Sequence, residues 1–164
     1  MITAFTGLKI ICEKMVTINT LFLETLRVLC LSRHAKSPIR ATLEAAGVDL
    51  YAAETVIIQP RSRNIVNTDI SIKLPKNTYG KIASRSSLAS RGIDVAGGVI
   101  DRDYTGPIKV ILCNHTDQSF EVSFGLRIAQ LICEQILLPK IKLVDYLFKK
   151  TERGASGFGS TGDC

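Results

Sequence analysis

The sequence of 164 residues has little of what marks several common classes of protein. It contains no tryptophan, and aromatic residues make up only 6% of it. Lysine and arginine outnumber aspartate and glutamate by 21 to 15, but no basic run is longer than two residues. Single-stranded nucleic acid is bound where aromatic rings alternate with basic side chains, so this composition argues against a nucleic-acid-binding barrel. A small anionic substrate explains the excess positive charge as well.

Membrane spans and disulfide or zinc frameworks are also missing from the pattern. No apolar run approaches the roughly 18 residues that a membrane span needs. The five cysteines lack CxxC spacing, and His115 has no second histidine or cysteine spaced to join it as a metal ligand. Buried free thiols in a reducing compartment are therefore expected, which favours an intracellular location, cytoplasmic or nuclear, with mitochondria left open. Residues 1–25 resemble neither a secretory signal nor a transit peptide and receive no function.

The sequence does contain a series of short strand-like runs. Proline, glycine or asparagine interrupts them at a spacing of roughly ten residues, which is typical of all-β sandwiches and barrels. One short helical turn is expected within residues 84–91. The predicted strands cover residues 26–31, 55–58, 64–74, 79–83, 108–113, 120–122 and 125–133.

The most informative stretch is residues 97–106, which read GGVIDRDYTG. Two β-formers lead into acidic residues and a tyrosine, and glycines lie at both ends, which predicts a hairpin tip. Asp101 would begin at the end of a strand, a rigid base for a general base that must hold a water. Tyr104 would then lie beside whatever binds. The alternative is a surface hairpin in which the aspartates only favour the turn.

Three further polar features allow two interpretations each. Arg85 lies among serines after a strand, either as part of a phosphate-binding loop or in a solvated loop. Asp49, flanked by apolar residues, either faces a site or caps a turn. Arg127 and Gln130 interrupt a run that reads as a strand buried on both faces, so each must find a partner or a ligand.

The tail from residue 151 is rich in glycine and predicts disorder. Arg153 and Phe158 lie among glycines that would let the backbone approach a ligand closely, which is the pattern of a lid. No Lys-Ser/Thr follows these glycines, so the tail is not a P-loop.

Taken together, five segments of the chain resemble the motifs of the trimeric dUTPases, enzymes that hydrolyse dUTP to dUMP and pyrophosphate. The resemblance implies an all-β, jelly-roll-like β-barrel over residues 26–150 and an arm over residues 151–164, after an N-terminal extension of unknown role. It also implies a homotrimer whose active sites are shared between chains, with no nucleic-acid or membrane partner. The segments occur in the family order: AAGVDLY, SRSSLAS, GGVIDRDYTG, GLRIAQLI and RGASGFGSTG.

The resemblance also assigns roles to single residues. Asp101 corresponds to the base that orients the attacking water, and Tyr104 to the ring under the deoxyribose. Uracil would be recognised by the main chain at Gly98 and Lys109. Asp49 corresponds to a carboxylate that holds Mg²⁺ through water. The remaining assignments are phosphate binding by Arg85, Ser86, Ser87 and Gln130, and closure of the site by Arg153, Phe158 and Gly159 of the arm.

Some positions depart from the family pattern. Leu126 stands where an acidic residue is usual, and Ser84 and Ser87 replace a common proline and glycine. None of these removes a group with a chemical role, so reduced or altered activity is the most that they predict. The alternatives are a weakly active or inactive dUTPase-like regulatory protein, or a dCTP deaminase. The deaminase would need a glutamate base near the hairpin, which residues 97–106 lack.

Overall fold

The structure is a computed structural model, and it describes residues 25–146. This part of the chain is almost entirely β, as short runs of β-branched residues between turn residues dictate. Its one helix, α1 (Ser86–Ala89), is a single turn. The eleven strands are β1 (Arg27–Cys30), β2 (Val48–Tyr51), β3 (Val56–Ile58), β4 (Arg63–Asn67), β5 (Ile70–Lys73), β6 (Thr78–Ala83), β7 (Ile93–Ala96), β8 (Val99–Ile100), β9 (Lys109–Asn114), β10 (Phe120–Val122) and β11 (Arg127–Gln135).

All pairings between these strands are antiparallel. One sheet has the order β2-β11-β6-β8 and a second has the order β4-β9-β7. The pairs β1-β5 and β10-β3 complete the fold. Strands distant in sequence are therefore neighbours, as in a jelly roll rather than a simple meander.

The core is a single aliphatic cluster drawn from both larger sheets. Leu131 lies directly opposite Ile82 across β11 and β6, and Val66 lies opposite Val110 across β4 and β9. All four are nearly inaccessible to solvent. Burial of such side chains contributes roughly 1.5–3 kcal/mol each, and it fixes the register of the strands that carry the polar residues.

The predicted strands are found, with two differences. The run 64–74 is divided into β4 and β5 at Asp69, which has a φ of 52°, a left-handed conformation that no strand continues through. The Ser32 hydroxyl donates to the Asp69 carboxylate at 2.7 Å and helps to hold this turn. The prediction that the strand at 125–133 is buried on both faces is only partly right, because several of its outward residues are half-buried.

The two strands expected to form a hairpin around Asp101, β8 and β9, do not pair with each other. β8 pairs with β6 in one sheet, whereas β9 pairs with β4 and β7 in the other. The segment between them therefore crosses from sheet to sheet. Pro107 has no N–H to donate, which disfavours a ladder between the two arms.

Cys30, Cys113 and Cys133 are free thiols, as expected, but none is fully buried, because Cys30 is exposed and the other two are half-buried. Burial raises the pKa of the Cys133 thiol, which keeps it protonated and poorly reactive. Within residues 25–146, no helix is long and apolar enough to cross a membrane.

Candidate active site

The crossing segment after β8 lines an open cavity of about 230 Å³. Asp101, Tyr104 and Lys109, three residues singled out from the sequence, lie on its wall beside Val99 and Ile100. Asp101 directly follows the last residue of β8 and is exposed. A carboxylate at a strand end is rigidly held yet open to water, which suits a general base.

A tight turn places the tyrosine ring against this cavity. The Tyr104 N–H donates to the Asp101 carbonyl at 3.1 Å, and its hydroxyl donates to the Pro107 carbonyl at 3.0 Å. A Cβ atom at Gly106 would lie 2.5 Å from the Tyr104 hydroxyl oxygen. A larger residue at position 106 would therefore displace the ring, which is 44% exposed, from this position.

Gly98 lies immediately before β8, where the backbone passes close to Ile82 of β6. Its φ is +93°, and a Cβ atom there would lie 2.4 Å from the Ile82 carbonyl oxygen. The Ile82 N–H donates to the Gly98 carbonyl at 2.7 Å. This hydrogen bond fixes the backbone of the residue that the resemblance assigns to uracil recognition.

A second group of polar residues lies at the other end of β6. Asp49 on β2 is the centre of this group, with a side chain that is only 11% exposed. Arg85 Nε donates to its Oδ1 at 2.8 Å, and Arg127 Nη1 donates to its Oδ2 at 3.1 Å. Asp49 therefore does not cap a turn, because two guanidinium groups hold its carboxylate.

Gln130 joins this group through the loop that precedes α1. Its Nε2 donates to the Ser84 carbonyl at 2.9 Å, and the Ser84 hydroxyl accepts the Val95 N–H at 2.8 Å. Gln130 lies opposite Asp49 in the β2–β11 register. These bonds fasten the Arg85 loop to two strands and leave the Ser86 and Ser87 residues exposed.

The two groups are well separated within one chain. Because Ile100 pairs with Gly80, Asp101 lies beside Tyr79 at the start of β6. Arg85 lies beyond Ala83, where β6 ends. The stretch from Tyr79 to Ala83 alone spans about 13 Å at ~3.3 Å per residue. One chain therefore does not bring Asp101 and Arg85 to the same point.

The carboxylate of Asp49 has limited capacity to hold a metal ion. Both of its oxygens already accept an arginine N–H, and residues 25–146 contain no cluster of three or more metal-ligating side chains. Direct coordination of Mg²⁺ by the Asp49 carboxylate therefore does not fit this arrangement. Each oxygen keeps a second lone pair, so water-mediated contact with a cation carried by a ligand does fit.

Sequence reasoning left the partner of Arg127 open and gave Ser84 no role. The sequence signal for these contacts is weak, because a polar residue such as Arg127 in an apolar strand shows only that it needs a partner. Arg153, Phe158 and Gly159, with the whole of the predicted arm, lie outside the described residues, as do residues 1–24 of the predicted extension.

Comparison with known proteins identifies the family. The dUTPase family model matches residues 33–162. The mitochondrial deoxyuridine 5'-triphosphate nucleotidohydrolase of Homo sapiens is 51% identical over 138 residues, covering 84% of this chain. That match spans 54% of the human protein, so the chain corresponds to about half of its length.

Solved structures agree. The dUTPase of Staphylococcus bacteriophage 80alpha with dUpNHpp superposes with a TM-score of 0.79 at 30% identity, covering 85% of this chain and 99% of that one. A mutant dUTPase of phage phi11 of S. aureus, described with a structural Mg(II) ion, has a TM-score of 0.71 at 25% identity and covers 76% and 99%. The chain belongs to the dUTPase family. The predictions of family and of an all-β, jelly-roll-like fold are confirmed.

Proposed function

We propose that this protein hydrolyses dUTP to dUMP and pyrophosphate, and so limits uracil incorporation into DNA while supplying dUMP for thymidylate synthesis. The observation that carries the proposal is the cavity at the end of β8, which places an exposed carboxylate, a tyrosine ring and the first residue of β9 around one space. Membership of the dUTPase family supports the same activity.

Asp101 is the general base in this proposal. It orients one water and accepts its proton while the water oxygen attacks the α-phosphorus. The α–β anhydride bond breaks, and pyrophosphate leaves. The exposure of the carboxylate at the end of β8 supports this role, because the water must reach it.

The cavity wall sets the choice of base and sugar. Tyr104 lies under the deoxyribose, where its ring leaves no space for a 2′-hydroxyl. Uracil binds to main-chain groups of Gly98 and Lys109. The hydrogen bond from Ile82 to Gly98 supports this assignment, since a backbone that recognises a base must be held still.

The triphosphate binds to the second group of polar residues. Arg85, the Ser86 and Ser87 groups and Gln130 would contact phosphate oxygens, because guanidinium and hydroxyl donors match them in geometry and charge. Arg153, Phe158 and Gly159 of the predicted arm would close the site and exclude bulk water. Phe158 would stack on uracil, and Arg153 would reach the γ-phosphate.

Mg²⁺ is the proposed cofactor and would arrive bound to the triphosphate, with Asp49 contacting its waters. When bound, it supplies neutralisation of the phosphate charge. The remaining lone pairs of Asp49 support this outer-sphere arrangement. Arg85 and Arg127 hold the carboxylate in place beside the phosphates.

A homotrimer with shared sites is proposed as the active form. The separation of Asp101 from Arg85 along β6 supports it, because a general base must lie within about 3 Å of the proton it takes. The Asp101 group of one chain and the Arg85 group of a neighbour would then face one substrate.

An intracellular location stays a prediction, and the human relative carries a mitochondrial name.

The test is an assay of pyrophosphate release with Mg²⁺ from dUTP, dCTP, dTTP and UTP in parallel. We expect release from dUTP at least about a hundredfold faster than from the other three, since sites that use fixed polar groups reject wrong partners strongly. Binding of a nonhydrolysable dUTP analogue without any release from dUTP would contradict the proposal and favour a regulatory binding protein.

A further inference from the structure

Asp49 shares its buried carboxylate between two arginines that differ in exposure. The Arg85 side chain is 22% exposed and the Arg127 side chain is 50% exposed, against 11% for Asp49. A buried carboxylate is stabilised by charged partners that satisfy both oxygens. Removing either arginine would leave one oxygen without its charged donor.

Arg127 also contacts Arg85 directly, through its backbone carbonyl. Arg85 Nη1 donates to the Arg127 carbonyl at 3.2 Å, while Arg85 Nε is bound to Asp49. Two edges of the Arg85 guanidinium are therefore occupied. Among the described residues, Arg85 Nη2 donates to no protein group, which leaves this nitrogen for a ligand.

The start of β11 holds Arg127 in position. The register between β11 and β2 shifts between Arg127 and Ala129, and register irregularities of this kind redirect side chains at the ends of strands. Leu126 packs against the core, and its N–H donates to the Ser123 carbonyl at 3.0 Å. An apolar anchor therefore precedes the arginine.

We propose that Arg127 is a positioning residue for phosphate binding. Its side chain fixes the Asp49 carboxylate, which fixes the Arg85 guanidinium toward the substrate. The inference rests on the proposed function, because it assumes that Arg85 contacts phosphate. A long arginine side chain loses rotamer freedom when it binds, and this cluster removes that freedom before the nucleotide arrives.

The first test compares Arg127→Ala and Arg127→Lys with the matched control Arg61→Ala. Arg61 also forms an ion pair with an aspartate, Asp117, at 2.8 Å, but both side chains are mostly exposed. We expect Arg127→Ala to raise the Kd of a nonhydrolysable dUTP analogue about tenfold, as loss of a supporting contact commonly does. Arg127→Lys should recover part of this loss, and Arg61→Ala should change the Kd less than about twofold, as a surface substitution does.

A double-mutant cycle separates positioning from direct contact. In an Arg85→Ala background, Arg127→Ala should have less than about a twofold further effect on Kd, because there is no guanidinium left to position. A further loss of about tenfold in that background would overturn the proposal, because Arg127 would then affect nucleotide binding independently of Arg85.

Nitrogen-15 NMR of the arginine side chains tests the inference without nucleotide. The Arg85 Nε–H resonance should exchange with solvent markedly faster in Arg127→Ala than in the parent or Arg61→Ala. An unchanged exchange rate, in a variant whose thermal unfolding shows that it folds, would overturn the proposal. If the parent released no pyrophosphate from dUTP, the proposed activity would fail while this measurement still decided the role of Arg127.

Discussion

Asp49 lies within a strand and Asp101 directly after one, but their surroundings suit the two carboxylates to opposite tasks. Asp101 is exposed after the last residue of β8 and faces a cavity. Asp49 is buried, with both oxygens bonded to arginines. Arginine donors occupy both oxygens of Asp49, whereas the Asp101 carboxylate is open to water, which supports the proposal that Asp101 is the base.

Replacing Asp101 by asparagine should therefore separate chemistry from binding. The amide keeps the shape of the side chain but cannot take a proton from water, so kcat for dUTP should fall by ~10²-fold or more. The Kd of a nonhydrolysable analogue should change little. Steady-state kinetics and calorimetry measure the two quantities.

Asp103→Asn is the matched control, because Asp103 lies two residues further along the same exposed turn. It should retain kcat within about threefold, as expected for a surface substitution away from the reacting groups. Equal losses of kcat in the two variants would show that activity depends on the negative charge of the turn and not on Asp101 as a general base.

At the level of elements, β6 positions both parts of the candidate site. Its two central residues pair with β8 and so set the position of Asp101, and the loop after its end carries Arg85. Its other edge pairs with β11 over six consecutive residues. A central strand bonded on both sides is hard to displace, which gives the polar groups a fixed frame.

Gly98→Ala should disturb this frame more than Gly97→Ala. Both glycines have positive φ, so alanine costs about 1–2 kcal/mol at either position for conformation alone. At Gly98 the new Cβ would also lie 2.4 Å from the Ile82 carbonyl oxygen, whereas at Gly97 its nearest neighbour is 3.8 Å away. We expect Gly98→Ala to lose about 1–3 kcal/mol more than Gly97→Ala.

Urea unfolding at one fixed protein concentration measures the difference, since assembly would make stability depend on concentration. Loss of dUTP hydrolysis should accompany Gly98→Ala, because β8 carries the segment with Asp101. If the two alanine variants unfolded at the same urea concentration, Gly98 would not lie against the Ile82 carbonyl as described.

Local sequence signals predicted most of these elements but not their partners. β1 follows from its alternating pattern, β6 and β9 from short strand-like runs between turn residues, and the α1 turn from the serine-rich loop. The break at Asp69 was not predicted, because a left-handed φ at a non-glycine residue leaves little trace in composition. The pairing of β8 with β6 depends on the long-range register of the sheet, which no local pattern encodes.

The same holds for the candidate site: the sequence indicated its residues but not their contacts. Residue types indicated that Arg127 and Gln130 need partners, and the structure supplies Asp49 and the Ser84 carbonyl. The five-segment resemblance supplied the roles, since a turn rich in aspartate is ordinary by itself. Whether a neighbouring chain completes the proposed site is a property of the assembly, and no local pattern in a single sequence encodes it.

At the level of the whole molecule, the separation of Asp101 from Arg85 makes a quantitative prediction about mixed assemblies. Arg85→Ala and Asp101→Asn should each be nearly inactive alone, because one lacks the phosphate contact and the other lacks the base. After subunit exchange of an equal mixture, about one quarter of the sites in a cyclic trimer should pair an intact Asp101 with an intact Arg85 from a neighbour. Pyrophosphate release should then reach about a quarter of the parent rate, with native mass spectrometry to confirm that mixed trimers have formed. If mixed trimers formed but activity stayed at the level of the two variants, each chain would complete its own site. The reason is that every chain in the mixture lacks one of the two groups.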